Sequence, residues 1–210
     1  MNNPVVIRKT LTWSLTFQWI VAALVACLLA WLTYSRGGWI PLLSGADLAV
    51  HEFGHMLVFW APKLLLQIAG SYLQVALPLW LGMYLWLRHD RFAVILMGAW
   101  AAESLNNVSV YIYDATRMVL PLLGDDGSGE WHDWRNILTR LWWLDHTDGI
   151  AYTVRGLSVM VFAVALGLAV LWLVKAWREF REAGGRKIPE GTYPWGRPPN
   201  GRVDPTKRPQ

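Results

Sequence analysis

Ala49-Val50-His51-Glu52-Phe53-Gly54-His55-Met56-Leu57 is the stretch on which the reading of this chain turns. It places two histidines four residues apart, with a glutamate directly after the first, in apolar surroundings. On a helix, positions i and i+4 share a face, so both imidazoles can reach one Zn²⁺. The carboxylate between them then stands where it can take a proton from a metal-bound water. Between residues 40 and 60 the only ionisable groups are Asp47, His51, Glu52 and His55. Ionisable side chains inside a membrane span are costly to keep there, and they mark function.

The surroundings of that stretch set the fold class. The chain has 210 residues, is 54 % hydrophobic and contains 15 tryptophans. Five runs approach the length that crosses a bilayer core of about 30 Å: residues 11–32, 42–60, 64–87, 92–114 and 150–177. Tryptophans bracket several of them, Trp13 and Trp31 the first, Trp39 and Trp60 the second, with Trp172 and Trp177 closing the fifth. That is the expected placing of an interface belt. The amino-terminal apolar run is too long for a signal peptide and no small-residue cleavage site follows it, so the first span is expected to be retained. Cys27 is the only cysteine. This leaves no intrachain disulfide and no cysteine-based zinc site.

Net charge is +4, and its placement matters more than its size. After Trp177 come Arg178, Arg181, Arg186, Lys187, Arg197, Arg202, Lys207 and Arg208, among Gly- and Pro-rich sequence. Residues 181–210 therefore read as a disordered basic tail, cytoplasmic by the positive-inside rule, following a membrane domain at 1–180. Anionic lipid, rather than nucleic acid, is the expected neighbour of such a tail.

Within the spans, polar residues fall on common faces. Gln67, Ser71 and Gln74 share one face of the third, with Pro78 a turn beyond, where it can kink the helix. Glu103, Asn107 and Asp114 fall within about 40° of one another on the fourth, bordered by Asn106. Such a stripe must face the bundle interior or a water-filled cavity. In the longest connection, Asp125-Asp126-Gly127-Ser128-Gly129-Glu130 reads as a polar loop. Trp131-His132-Asp133-Trp134 follows, and then apolar positions at helical period as far as Leu144. Asp133 is the expected N-cap of an amphipathic helix lying at the membrane interface.

Catalytic zinc takes three protein ligands and keeps one open position. His51 and His55 supply two. Asp114 is the preferred third, because it ends the polar stripe. His132 is the alternate or additional one, because it precedes a helix able to fold over the site. Glu103 ranks behind both, and His146 with Asp148 reads as a wet loop. As a plain helix-end carboxylate, Asp114 would pair with Arg117, three residues on. Glu52 is the expected catalytic base. Asn106, Asn107, Gln67 and Gln74 are candidate holders of a locally unwound substrate strand, or else helix-to-helix hydrogen bonds.

A membrane-embedded His-Glu-Phe-Gly-His with an aspartate on a later span resembles the site-2 protease family of intramembrane zinc metallopeptidases. The family's second pattern, N-x-x-P-x-P-x-L-D-G, aligns with Asn106 through Ala115. Asn106 and Asp114 keep the family's separation. Both prolines are absent, Tyr113 stands for Leu, and Ala115 stands for Gly. No inserted PDZ-like domain is visible. The likeness is to a compact, divergent bacterial branch, with His132-Asp133-Trp134 as an accompanying motif. It implies one Zn²⁺ per chain, membrane-protein substrates, and a place in the bacterial cytoplasmic membrane.

The expectation is an all-α integral membrane protein. It has about five transmembrane helices, one interfacial amphipathic helix and the basic tail, and it hydrolyses peptide bonds in or near the spans of other membrane proteins. Two alternatives predict different behaviour. A zinc-binding protein without protease activity, such as an assembly factor, holds metal but cuts nothing. A small transporter uses Glu103, Asn107 and Asp114 as a polar path and has no need of Glu52.

Overall fold

The computed structural model describes residues 4–35, 39–123 and 130–185, and every regular element among them is helical. The order is α1 (Pro4–Ser35), α2 (Leu43–Leu57), α3 (Lys63–Leu87), α4 (Arg91–Asp114), α5 (Asp133–Arg140), a 3₁₀ turn (Leu144–His146) and α6 (Thr147–Gly185). Three stretches are long and apolar enough to cross a membrane: Thr16–Ser35, Lys63–Leu87 and Leu144–Glu182. The other two expected spans differ from these. α2 has only 15 residues, which at about 1.5 Å per residue falls short of a bilayer core of about 30 Å. It stops because the chain turns at Val58 and reaches Pro62, the residue before α3. α4 is long enough, but it carries the buried polar stripe instead of an unbroken apolar surface.

α4 is the central helix, packed against α1, α3 and α6. Small side chains let the backbones come close, as in membrane helix pairs. Ala22 and Ala26 of α1 meet Ile95, Ala99 and Ala102 of α4 and Ala165 and Ala169 of α6, with Trp19 and Phe162 filling the remaining space. A second core at the other end joins Val108, Ile112 and Ala115 to Leu138 of α5 and Ala151 of α6. α3 runs unbroken through Pro78. α2 lies mainly on α3 and touches α4 only lightly. Its contact with α3 depends on glycine, because a Cβ built on Gly54 would come within 2.5 Å of the Ala69 carbonyl oxygen.

α5 ends at Arg140, and Trp142 takes a left-handed backbone (φ 59°), so the apolar period that continues to Leu144 does not continue as helix. α6 carries on to Gly185, past the residue at which the sequence starts the tail. The rest of the tail (186–210) and the polar loop at 124–129 lie outside the described residues.

Candidate metal centre

α2 turns Ser44, Asp47, His51 and Gly54 inward. The His51 and His55 rings lie 4.8 Å apart, centroid to centroid. Each ring has a fixed outer nitrogen. His55 Nδ1 donates to the Leu66 carbonyl at 2.8 Å, and His51 Nδ1 donates to Gln74 Oε1 at 3.3 Å. A carbonyl oxygen only accepts, so these partners take a ring hydrogen from each Nδ1, and each Nε2 is left to face the cluster. Outer bonds of this kind orient metal-ligating histidines.

Both Nε2 atoms face one carboxylate oxygen, Asp133 Oδ2, at 3.2 Å from His51 and 3.1 Å from His55. Metal–ligand bonds of about 2.0–2.1 Å give a tetrahedral edge of about 3.4 Å. Donor atoms of the three residues all lie within 4.8 Å of one another. The wall beside them is Gly70, where a Cβ would stand 2.6 Å from both Nε2 atoms. Donor chemistry, spacing and the bare glycine wall all fit a zinc-sized cation.

Asp133 reaches this place because α5 folds back on α3. Trp134 Nε1 donates to Ser71 Oγ at 3.0 Å, and Arg135 donates to the Ala115 carbonyl at 3.1 Å. The Tyr111 hydroxyl accepts from the Asp133 backbone N–H at 3.0 Å and donates to Oδ2 at 3.4 Å. Burial pushes the Asp133 carboxyl up, but the imidazoles of His51 and His55 outweigh it and hold the group below the ordinary carboxylate range. The carboxylate is thus anionic, and a positive charge belongs among these three atoms: a metal ion, or a proton on an imidazole.

Two sequence expectations change here. The N-cap of α5 is His132, whose Nδ1 accepts from the Arg135 N–H at 3.3 Å, and Asp133 is the first helical residue. The cap therefore falls one residue earlier, and the aspartate side chain is released to face the imidazoles. Asp114, the preferred third ligand, does not join the cluster. It closes the turn after α4, accepting from the N–H groups of Val119 (2.9 Å) and Leu120 (3.1 Å). His132 goes with it: fully buried, it stacks on Tyr111 and faces Asp114 Oδ2 through Nε2 at 3.4 Å without closing a hydrogen bond. Burial lowers the His132 pKa despite the nearby Asp114 carboxylate, so the imidazole is neutral. Arg117 pairs with Asp148 at 3.0 Å and lies over the Tyr113 ring, away from Asp114. His146 is exposed on the 3₁₀ turn.

Glu52 is half-buried, near enough to act electrostatically on His55 and Tyr111. The four candidate substrate contacts divide. Gln74 is occupied by His51, and Asn107 donates to Asp47 and Glu103. Gln67 and Asn106 keep buried carbonyl oxygens with no partner. The residue that sequence reasoning missed as a donor is Asp133. The signal lies in Trp131-His132-Asp133-Trp134, where an aspartate at a helix start reads equally well as a cap.

Comparison with protein-family models, with curated proteins and with solved structures found no match to this chain.

Proposed function

We propose that this chain is a membrane-embedded zinc endopeptidase that cuts other membrane proteins in or near their spans. The observation that carries the reading is the convergence of His51 Nε2, His55 Nε2 and Asp133 Oδ2 beside Gly70, within the spacing His-Glu-x-x-His. A membrane setting is supported by the three long apolar helices and by large outward side chains such as Leu24, Trp31, Leu65, Trp80, Met83, Val164 and Leu171. In this reading α2 and α4 complete a five-helix membrane domain, and α5 lies at its edge.

His51, His55 and Asp133 would hold the metal. When bound, Zn²⁺ polarises a carbonyl and lowers the pKa of a water molecule. Glu52 accepts the proton of the attacking water on its carboxylate and passes it to the nitrogen of the departing amine. Tyr111 fixes Asp133 through both its backbone and its side chain. A substrate helix has to unwind before its peptide bond is reachable, which frees backbone N–H groups that need acceptors in an apolar medium. The partnerless carbonyl oxygens of Gln67 and Asn106 are suited to that task.

The test is zinc per chain in detergent, together with cleavage of a model transmembrane substrate by wild type and Glu52→Gln. The expected result is one zinc in both and cleavage in the wild type alone. Zinc without cleavage by wild type points to a metal-binding protein that is not a protease. A wild-type chain that takes up no zinc makes the His–Asp cluster an ion pair and ends the proposal.

A further inference from the structure

One helical turn before His51, α2 carries a second buried polar cluster with a different chemistry. Asp47 and Glu103 are 1 % and 0 % exposed, and their carboxyls share one donor, Asn107 Nδ2. Asp47 Oδ1 accepts from Trp100 Nε1 at 2.7 Å and from Ser104 Oγ at 3.0 Å, and Oδ2 accepts from Asn107 Nδ2 at 3.1 Å. Glu103 Oε1 accepts from Asn107 Nδ2 at 2.7 Å and from Ser44 Oγ at 3.2 Å. The fourth carboxyl oxygen, Glu103 Oε2, is fully enclosed and has no partner.

Two adjacent carboxylates cannot both stay ionised in an apolar interior. Among the described residues no lysine, arginine or histidine pairs with either carboxyl. A metal ion does not suit the site, because N–H and O–H donors already occupy three of the four oxygens. Asp47, with three donors, is the better supported anion. Glu103 Oε2 lacks a donor, and a hydrogen of its own resolves this, turning an orphan acceptor into a donor to Asp47.

We infer that the Asp47–Glu103 pair is a proton-binding site, holding one proton on Glu103 Oε2 and donating it to Asp47. The bound proton adds to the hydrogen bonds from Ser44, Trp100, Ser104 and Asn107 that join α2 to α4, and it does so on the helix that carries both imidazoles. Removing it leaves two facing anions across that contact. The inference does not depend on metal at the histidines.

Infrared spectroscopy of the full chain in detergent near neutral pH tests it, with glutamate carboxyls labelled by ¹³C and spectra taken in H₂O and D₂O. The expected result is a protonated-carboxyl stretch that shifts with the glutamate label and with deuterium. Glu103→Gln abolishes it, because an amide N–H replaces the acid as donor to Asp47, whereas Glu52→Gln leaves it in place. If Glu103→Gln does not fold, the labelled wild type decides. No protonated-carboxyl band, a band blind to the glutamate label, a band that survives Glu103→Gln, or a band removed by added Na⁺ or Ca²⁺ overturns the proposal.

Discussion

The two polar clusters on the inner face of α2 stand one turn apart and are built in opposite ways. Around Asp47 and Glu103, three of four carboxyl oxygens receive hydrogens from the protein. Around His51 and His55, the Nδ1 atoms point outward to Leu66 and Gln74, and both Nε2 atoms turn toward one carboxylate oxygen. A cluster that supplies its own donors needs at most one further proton. A cluster that turns its donors away asks for a cation. Being buried and polar does not separate the two, whereas the direction of each hydrogen does.

The largest effect that sharpens this contrast is loss of an imidazole. His51→Ala or His55→Ala is expected to reduce zinc from one per chain to none by elemental analysis, while Asp47→Asn leaves the metal count unchanged. Zinc retained by either histidine variant breaks the contrast. Next comes the choice of aspartate. Asp133→Asn removes the third donor and tight zinc binding with it. Asp114→Asn acts only through the turn after α4 and through His132, neither of which touches a proposed ligand of the metal through Asp114, so a much smaller loss of affinity is expected. Competition with a chelator distinguishes them, and the reverse order would restore Asp114 as the ligand.

Gly70→Ala places a methyl group against both Nε2 atoms. Zinc binding should be lost, with overpacking destabilising the fold by about 1–3 kcal/mol. Gly45→Ala, whose Cβ meets nothing within 4 Å, should instead gain up to about 1 kcal/mol from helix propensity. Thermal unfolding in detergent compares the two. Zinc affinity should also fall with acid. Protons compete with the metal for both Nε2 atoms, so each imidazole that takes up a proton lowers affinity. Asp133, held below the usual carboxylate range, adds nothing until much stronger acid. The smallest effect is expected for Arg117→Ala, which breaks an exposed pair with Asp148 that includes no residue of either cluster. Metal content and melting temperature should not move measurably.

The sequence made some of this legible and left the rest hidden. The pairing of His51 with His55 follows from helical spacing alone, and so does the common face of Glu103 and Asn107. Spacing within one helix carries no information on where a later connection folds back. Asp114 was favoured for its place on a polar face, but the 82 positions between His51 and Asp133 are closed by α5 packing on α3. That contact is written in Trp134 and Ser71, two residues that look ordinary apart. The shortness of α2 was hidden for a similar reason, since composition stays apolar across the turn at Val58 that ends the helix. Asp47 was visible as an ionisable group, but nothing local paired it with Glu103.

The third donor arrives from α5, far along the chain from the other two. During synthesis, a nascent chain that has emerged only through α4 carries both imidazoles but not Asp133. Tight metal loading therefore has to wait until residue 133 has left the ribosome and α5 has docked. On the proposed function, the order of translation itself then delays a complete centre until the chain is nearly finished.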